Sequence, residues 1–312
     1  MALLILQRLL STIPVLLVVA VTVFLMLRIS GDPAAVLAGD TATNAQIDAV
    51  RATFGLDRPI WEQFLTWVGK VLQGDLGESL FTGQPVSLLI AQRVEPTAML
   101  ALTTILFSVA VAVPMGVIAA WRADTWVDRA VMVFAVLGFS VPVFVLGYAL
   151  ILGFSINLRW LPVQGYVSLL EDPIGFLRHI ILPTLTLSFI YVALIARITR
   201  ASVMETLGED YIRTARAKGQ IERRVLFRHA LRNAAVPILT VIGLGVALLI
   251  GGVVVTESVF NIPGLGRLVV DAILRRDYPI IQGLILFFAA IYVGLNLMID
   301  IAYTVLDPRI RY

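Results

Sequence analysis

The sequence predicts an all-α membrane protein of six transmembrane helices with a small helical external region. Three observations carry this: an apolar composition, six long uncharged stretches, and basic residues concentrated in alternate connections. Of the 312 residues, 59% are hydrophobic and 14% charged, with a mean hydropathy of +0.92. A soluble domain is nearer half apolar and a quarter charged. Too few charges are present to wet a whole surface, so much of the chain faces lipid. The composition also excludes disorder, which needs low hydrophobicity and high charge. With no cysteine, disulfides, thiolate metal sites and cysteine nucleophiles are excluded. His179 and His229 cannot build a metal site by themselves, and a net charge of +3 does not suit a nucleic-acid binder.

A bilayer span needs about 17–25 mostly apolar residues. Six stretches without charge or histidine qualify: 9–27, 96–121, 130–158, 180–196, 233–256 and 278–299. The next longest, 79–92, has 14 residues and contains Gly83, Gln84 and Pro85. An even number of spans puts both termini on one side. With the termini inside, the inner segments hold 14 Lys/Arg in 65 residues and the outer ones 10 in 110. Leaving out the long first outer loop, whose charges count weakly, the outside holds 5 in 42. The basic excess therefore orients both termini to the cytoplasm. The first span is expected to be retained, because its apolar run of 19 residues exceeds the 7–15 of a signal-peptide core.

The expected organisation is an N-terminal transmembrane helix over 1–28, an external helical region over 29–95, a permeation core over 96–306 and a tail over 307–312. In the external region, Ile47, Val50 and Phe54 repeat at helical spacing behind the capping residues Thr43 and Asn44. Ile60, Trp61, Phe64, Leu65, Val68, Val71 and Leu72 make a second apolar stripe, with Pro59 at its first turn. Trp61 and Trp67 suit a membrane interface. These helices either cap the span ends or dock an external partner. Beyond the fifth span, Asn261-Ile262-Pro263-Gly264-Leu265-Gly266 breaks the chain before a short helix marked by Leu268, Val269, Ile273 and Leu274. Irregular backbone at this depth lines a route or gate, or is an ordinary turn. Glu257, Asn261, Pro263 and Gly264 are its candidate gate residues. Pro142, one of several prolines that kink the spans, joins them as a candidate gate or pathway residue.

No span carries Asp, Glu, Lys, Arg or His in its middle, which argues against ion coupling and voltage sensing. Asp300 and Glu257 lie at span ends, where snorkelling or capping explains them. No glycine-rich phosphate loop ends in Lys-Ser/Thr, so no nucleotide hydrolysis is expected from this chain. No set of paired carboxylates or Ser/His/Asp converges. The pattern is that of a non-catalytic, pore-forming subunit driven by another protein. An ATP-independent carrier or channel and a membrane scaffold are the rival classes.

Residues 197–232 hold nine of the 24 basic residues and four acidic ones. A plain stop-transfer loop would do the same, but the order within the segment is specific. Asp210 can cap a short helix through Tyr211, Ile212, Arg213, Thr214, Ala215, Arg216, Ala217 and Lys218, which Gly219 stops. A second helix with Arg223, Arg224, Arg228 and Arg232 leads through Asn233 to Pro237. Together they form a firm knob, in which small Ala215 and Ala217 permit close approach of a partner.

The run from Asp210 to Gly219, followed by Arg228-His229-Ala230-Leu231-Arg232-Asn233 and Pro237, resembles the coupling loop of bacterial ABC-importer permeases. The likeness is nearest to the dipeptide/oligopeptide branch. It extends to Gly31-Asp32-Pro33, Phe54-Gly55-Leu56-Asp57-Arg58-Pro59, Gly74-Asp75-Leu76-Gly77 with Ser79, and Ser140-Val141-Pro142 with Phe144 and Gly147. Thr256-Glu257 with Val259 to Pro263 and the ending Leu306 to Tyr312 complete it. The resemblance implies a type I ABC importer permease fold in the bacterial inner membrane. It implies a second homologous permease subunit, two cytoplasmic ATPase subunits, which hold the ATP and Mg, and a periplasmic substrate-binding protein. It gives Glu209, Asp210, Tyr211, Arg213, Thr214, Ala215, Arg216, Ala217, Lys218 and Gly219 the role of the ATPase-coupling loop. The implied cargo is short peptides, with nickel chelates, glutathione, opines or oligosaccharides as alternatives within the same class. The broader permease pattern is Glu-Ala-Ala, three residues, then Gly. Here Arg213, Thr214 and Ala215 stand in those places, so only Ala215 and Gly219 fit, and no contact of the missing Glu carries over.

Overall fold

The computed structural model describes residues 2–29, 33–39, 42–53 and 55–306. Gly31, Asp32, Phe54, the side chain of Val50 and the expected tail 307–312 lie outside the described residues. The helices in chain order are α1 (Ala2–Ile29), α2 (Pro33–Ala38), α3 (Asn44–Thr53), α4 (Ile60–Leu72) and α5 (Val86–Trp121). Next come α6 (Trp126–Ser140), α7 (Val143–Leu150), a π-helical segment π1 (Ile151–Asn157) and α8 (Pro173–Leu207). The basic segment follows as α9 (Asp210–Ala217), α10 (Glu222–Arg224), π2 (Val225–Ala230) and α11 (Leu231–Asn233). The chain continues with α12 (Ala235–Val259), α13 (Leu265–Arg275) and α14 (Tyr278–Leu306). Among the described residues there is no strand, only one antiparallel bridge between Glu78 and Pro85.

Each predicted apolar stretch falls on helix, but the spans are not six straight rods. By length and composition α5, α8 and α14 can each cross a membrane unaided. Two further crossings are bent pairs: α6 with α7 and π1, at 103°, and α10–α11 with α12, at 61°. In α1 the apolar part is Leu10–Met26. The single span expected over 130–158 is therefore broken. Pro142 cannot donate to the preceding turn and stands as N-cap of α7 with extended backbone (φ −60°, ψ 137°), so Val141 ends α6. α5 starts ten residues before its uncharged stretch, carrying Arg93 and Glu95 within the helix.

The chain forms two compact units. One comprises residues 1–94 and 268–294. In it the entry to α3 is capped differently from the expectation: Thr43 N–H and Thr43 Oγ1 both donate to Gln46 Oε1, at 2.8 and 3.1 Å, so the Gln46 side chain does the capping. Pro59 is the N-cap of α4. Phe24 of α1 packs between Phe64 and Trp67 of α4, at centroid distances of 5.2 and 5.6 Å, while Trp61 is left exposed. The Gly74–Ser79 motif is a structural knot. Gly74 and Gly77 take φ of +83° and +85°, and Gly77 N–H donates to Asp75 Oδ1 at 2.9 Å. Ser79 Oγ donates to the buried Asp277 at 2.6 Å.

The second unit, residues 95–267 and 295–312, is organised around α8. About two-thirds of its apolar stretch is buried (67%). Lipid gives little hydrophobic drive between helices, so small residues that let backbones approach supply the contact. A Cβ added at Gly138 of α6 would fall 2.4 Å from Ala193 Cβ of α8, and one at Gly116 of α5 would fall 2.6 Å from Ala196 O and Thr199 Cβ. At Gly252 of α12 it would meet Leu187 at 2.8 Å. These notches seat α5, α6 and α12 against α8.

Candidate coupling loop

α9 is a short, strongly two-faced helix. Its residues Tyr211, Arg213, Thr214, Arg216 and Ala217 are exposed, Ala215 is half-buried, and Ile212 is fully buried. Ile212 sits in a cluster with Val117 and Ala120 of α5, Val203 of α8, Val225, Leu226 and Ala230 of π2, and Ile238 of α12. One aliphatic side chain thus anchors the loop to three spans. Asp210 opens the helix rather than capping it. Glu209 holds the N-cap position without a side-chain cap bond, and Asp210 turns toward Arg213, Nη1 to Oδ1 at 3.5 Å. Gly219 does stop the helix, with φ +74° and its N–H on Arg216 O at 2.9 Å.

The second helix expected here is largely a π turn. Val225–Ala230 places Val225, Leu226 and Ala230 inward and Phe227 and Arg228 outward. Two polar ties close the knob. Arg216 grips Glu222 at 2.8 and 3.3 Å. Asn233 Nδ2 donates to Tyr211 Oη at 2.8 Å and to His229 O at 2.9 Å. Lys218, Arg223, Arg228 and Arg232 are exposed. Between α8, α9 and the start of α12 lies a cleft of about 570 Å³ lined by Ser202, Glu205, Thr206, Glu209, Tyr211 and Asn233. The knob is thus basic outside and acidic on the cleft wall.

A pair that sequence reasoning missed braces the base of the loop. Asp128, buried at the start of α6, binds both Arg200 Nε and Arg200 Nη2, the latter at 2.6 Å, and accepts Asp124 N–H at 3.1 Å. Seventy-two positions separate the partners and no motif links them.

The candidate gate residues fall at two places. Glu257, Asn261, Pro263 and Gly264 form one turn from α12 into α13, whereas Pro142 caps α7. Glu257 is fully buried: it accepts Thr97 Oγ1 at 2.6 Å and Arg267 N–H at 3.0 Å. Thr97 Oγ1 in turn accepts Leu265 N–H at 2.8 Å. The carboxylate thus caps the first turn of α13, where backbone donors lack intrahelical partners. Capping is the role in which Glu257 is seen. Asn261 takes φ +51° and bonds Arg267 Nη1. Nearby, Tyr166 Oη and Ser168 Oγ donate to Glu95 at 3.1 and 2.6 Å; burial, then Glu95, pushes the Tyr166 phenol above its usual range. No cluster of metal-ligating side chains occurs among the described residues.

Residues 112–312 match the family described as binding-protein-dependent transport system inner membrane component, and residues 1–101 match its N-terminal companion. A Sinorhizobium fredii protein named probable peptide ABC transporter permease is 55% identical over 309 residues, 99% of each chain. A Brucella abortus putative peptide transport system permease is 46% identical over 313 residues, the whole of each. The Escherichia coli glutathione transport system permease is 45% identical over 310 residues, 99% of this chain and 98% of that one. An inward-facing MetNI methionine ABC transporter shares the fold, with a TM-score of 0.59 at 15% identity over 70% of this chain and 97% of that one. The chain belongs to the binding-protein-dependent transport system inner membrane component family.

Proposed function

We propose that this chain is a permease subunit of an ABC importer that carries short peptides across the bacterial inner membrane. The observation that carries it is full-length similarity to permeases named for peptide transport, joined to a rigid, anchored loop helix at the end of α8. The chain is the membrane path and is not itself catalytic. ATP and Mg bind two cytoplasmic ATPase subunits, and a second, similar permease completes the path. A periplasmic binding protein delivers cargo, and both termini lie in the cytoplasm.

In this mechanism nucleotide binding closes the ATPase pair and displaces α9. Because Ile212 is locked among Val117, Val203, Val225 and Ile238, a push on α9 reaches α5, α8 and α12 together. The spans then switch access from one face to the other. Glu209 to Gly219 transmit the stroke, and the turn holding Glu257, Asn261, Pro263 and Gly264, with the break at Pro142, gives the path its jointed segments. Glutathione is the second cargo reading, favoured by the Escherichia coli relative.

The test is affinity purification of the tagged chain from its host membrane, with ATPase assay in lipid. The expected eluate contains ATPase subunits whose orthovanadate-sensitive activity rises with binding protein and short peptides. Stimulation by glutathione alone would favour the second cargo. Recovery of a lone chain that moves substrate unaided in liposomes would overturn the importer.

A further inference from the structure

Helix α4 has two apolar faces; one is covered and the other, among the described residues, is open. At 3.6 residues per turn, Phe64, Trp67 and Val71 share one side, and Trp61, Leu65, Val68 and Leu72 share another roughly 90° round the helix. The first side meets α1, where Phe64 and Trp67 both pack on Phe24. On the second side Trp61, Leu65 and Leu72 are 60%, 61% and 82% exposed, so nothing in the fold covers them. Gly69, at the edge of this stripe, has nothing within 4 Å of an added Cβ. Opposite the stripe stand Gln63 and Lys70. Lys70 is exposed, and Gln63 Nε2 donates to Leu56 O at 3.1 Å and Arg58 O at 2.7 Å, tying the connecting loop over that face.

A continuous apolar stripe along a whole helix marks a surface that something covers. The level at which α4 meets α1 says what covers it. Phe24 lies two residues before Met26, the end of the apolar run Leu10–Met26, so the contact is about 3 Å inside the end of that run at 1.5 Å per residue. On the same helix Leu17, Val18, Val21 and Leu25 are exposed, and on a spanning helix such side chains face acyl chains. The open stripe of α4 therefore continues a lipid-facing surface, at the depth where hydrocarbon gives way to headgroups. A helix lying in that boundary beside a span needs one face on the span, one in lipid and one in water. The α4 helix has all three, with the lipid and water faces on opposite sides. Trp61 adds the ring that favours this layer.

We propose that α4 is an in-plane membrane anchor, whose Trp61, Leu65, Val68 and Leu72 enter the phospholipid layer at the Met26 end of α1 while Lys70 stays in water. The stripe is then a surface for lipid and not for an external protein, and this holds whichever cargo the importer carries. The chain contains no cysteine, so a thiol introduced by substitution is its one site for a spin label. Leu65→Cys, Leu72→Cys and Lys70→Cys are each labelled in the transporter, assembled with cysteine-free partner subunits in phospholipid vesicles. Collisions with oxygen, which concentrates in lipid, are compared with those of a water-soluble nickel chelate. Labels at 65 and 72 should meet oxygen several-fold more than the chelate, and the label at 70 should show the reverse. Free access of the chelate to 65 and 72 would place the stripe in water and overturn the proposal. Shielding of both from oxygen and chelate alike would place a protein over it, which overturns the proposal too. Labels at Trp61→Cys and Val68→Cys read the same stripe if either leucine variant fails to assemble.

Discussion

At the scale of single residues, the sharpest constraints are places where one atom more cannot fit. A Cβ at Gly264 would lie 2.1 Å from Glu257 Oε1, and one at Gly266 would lie 2.6 Å from the backbone of Val254. Gly264→Ala must therefore push the Glu257 carboxylate off the first turn of α13, and a large loss of Tm is expected. Gly69 of α4 has nothing within 4 Å of the added atom. There Gly69→Ala should leave Tm unchanged or raise it, by the roughly 0.5–1 kcal/mol that alanine gains over glycine in a helix. The Asp128–Arg200 pair makes a second prediction. Removing one member of a buried pair costs about 3–5 kcal/mol, and less is expected here because the Arg200 side chain is 21% exposed. Asp128→Asn should destabilise the chain, and Asp128→Leu with Arg200→Met should recover part of the loss. If the double substitution falls below both single ones in denaturation, the pair is not acting as a unit.

At the scale of elements, α9 depends on one anchor and one stop. Ile212→Ala empties a fully buried site, a change that costs about 2–5 kcal/mol in a packed core, and it should loosen the knob. The expected signature is ATP hydrolysis that persists while uptake falls several-fold. Gly219→Val puts a branched side chain at φ +74° and should do the same. Full uptake by both variants would remove α9 from the coupling path. These ends were legible beforehand, since Gly219 stops α9 and the Asn261–Gly264 break precedes α13, each by local chemistry. Other features leave no local mark. A π turn such as Val225–Ala230 is too short to show a period of its own. The uncharged-stretch criterion truncated α5 at Glu95, although Pro85 just before Val86 marks its start. Pro142 signals a kink but not its size; the bend between α6 and α7 is 103°, with Gly138 close against Ala193 on one side of it and Gly147 beside Val259 on the other. The Asp128–Arg200 tie was hidden because each partner reads as an ordinary charge near a span end.

At the scale of the whole molecule, charge and length decide where the chain meets its partners. The exposed Lys218, Arg223, Arg228 and Arg232 make the tip of the α9–α11 segment basic. Raising ionic strength from about 0.1 M to 1 M shortens the screening length from about 10 Å to 3 Å. Retention of the ATPase subunits should fall across that range, and retention indifferent to salt would assign the docking to apolar contacts such as Ile221 and Phe227, 65% and 51% exposed. Length adds a separate consequence. α8 does not end where its uncharged stretch ends at Ala196; it runs on as helix to Leu207. At 1.5 Å per residue the overhang is about 16 Å, while the headgroup layer on each side is about 5–8 Å deep. Yet Val203 on this overhang packs with Val117 and Ala120, inside the uncharged stretch of α5, and with Ile212 of α9. The overhang therefore runs along the span ends rather than lifting the α9 knob off them, and exchanging anionic for zwitterionic lipid should alter how firmly that knob is held.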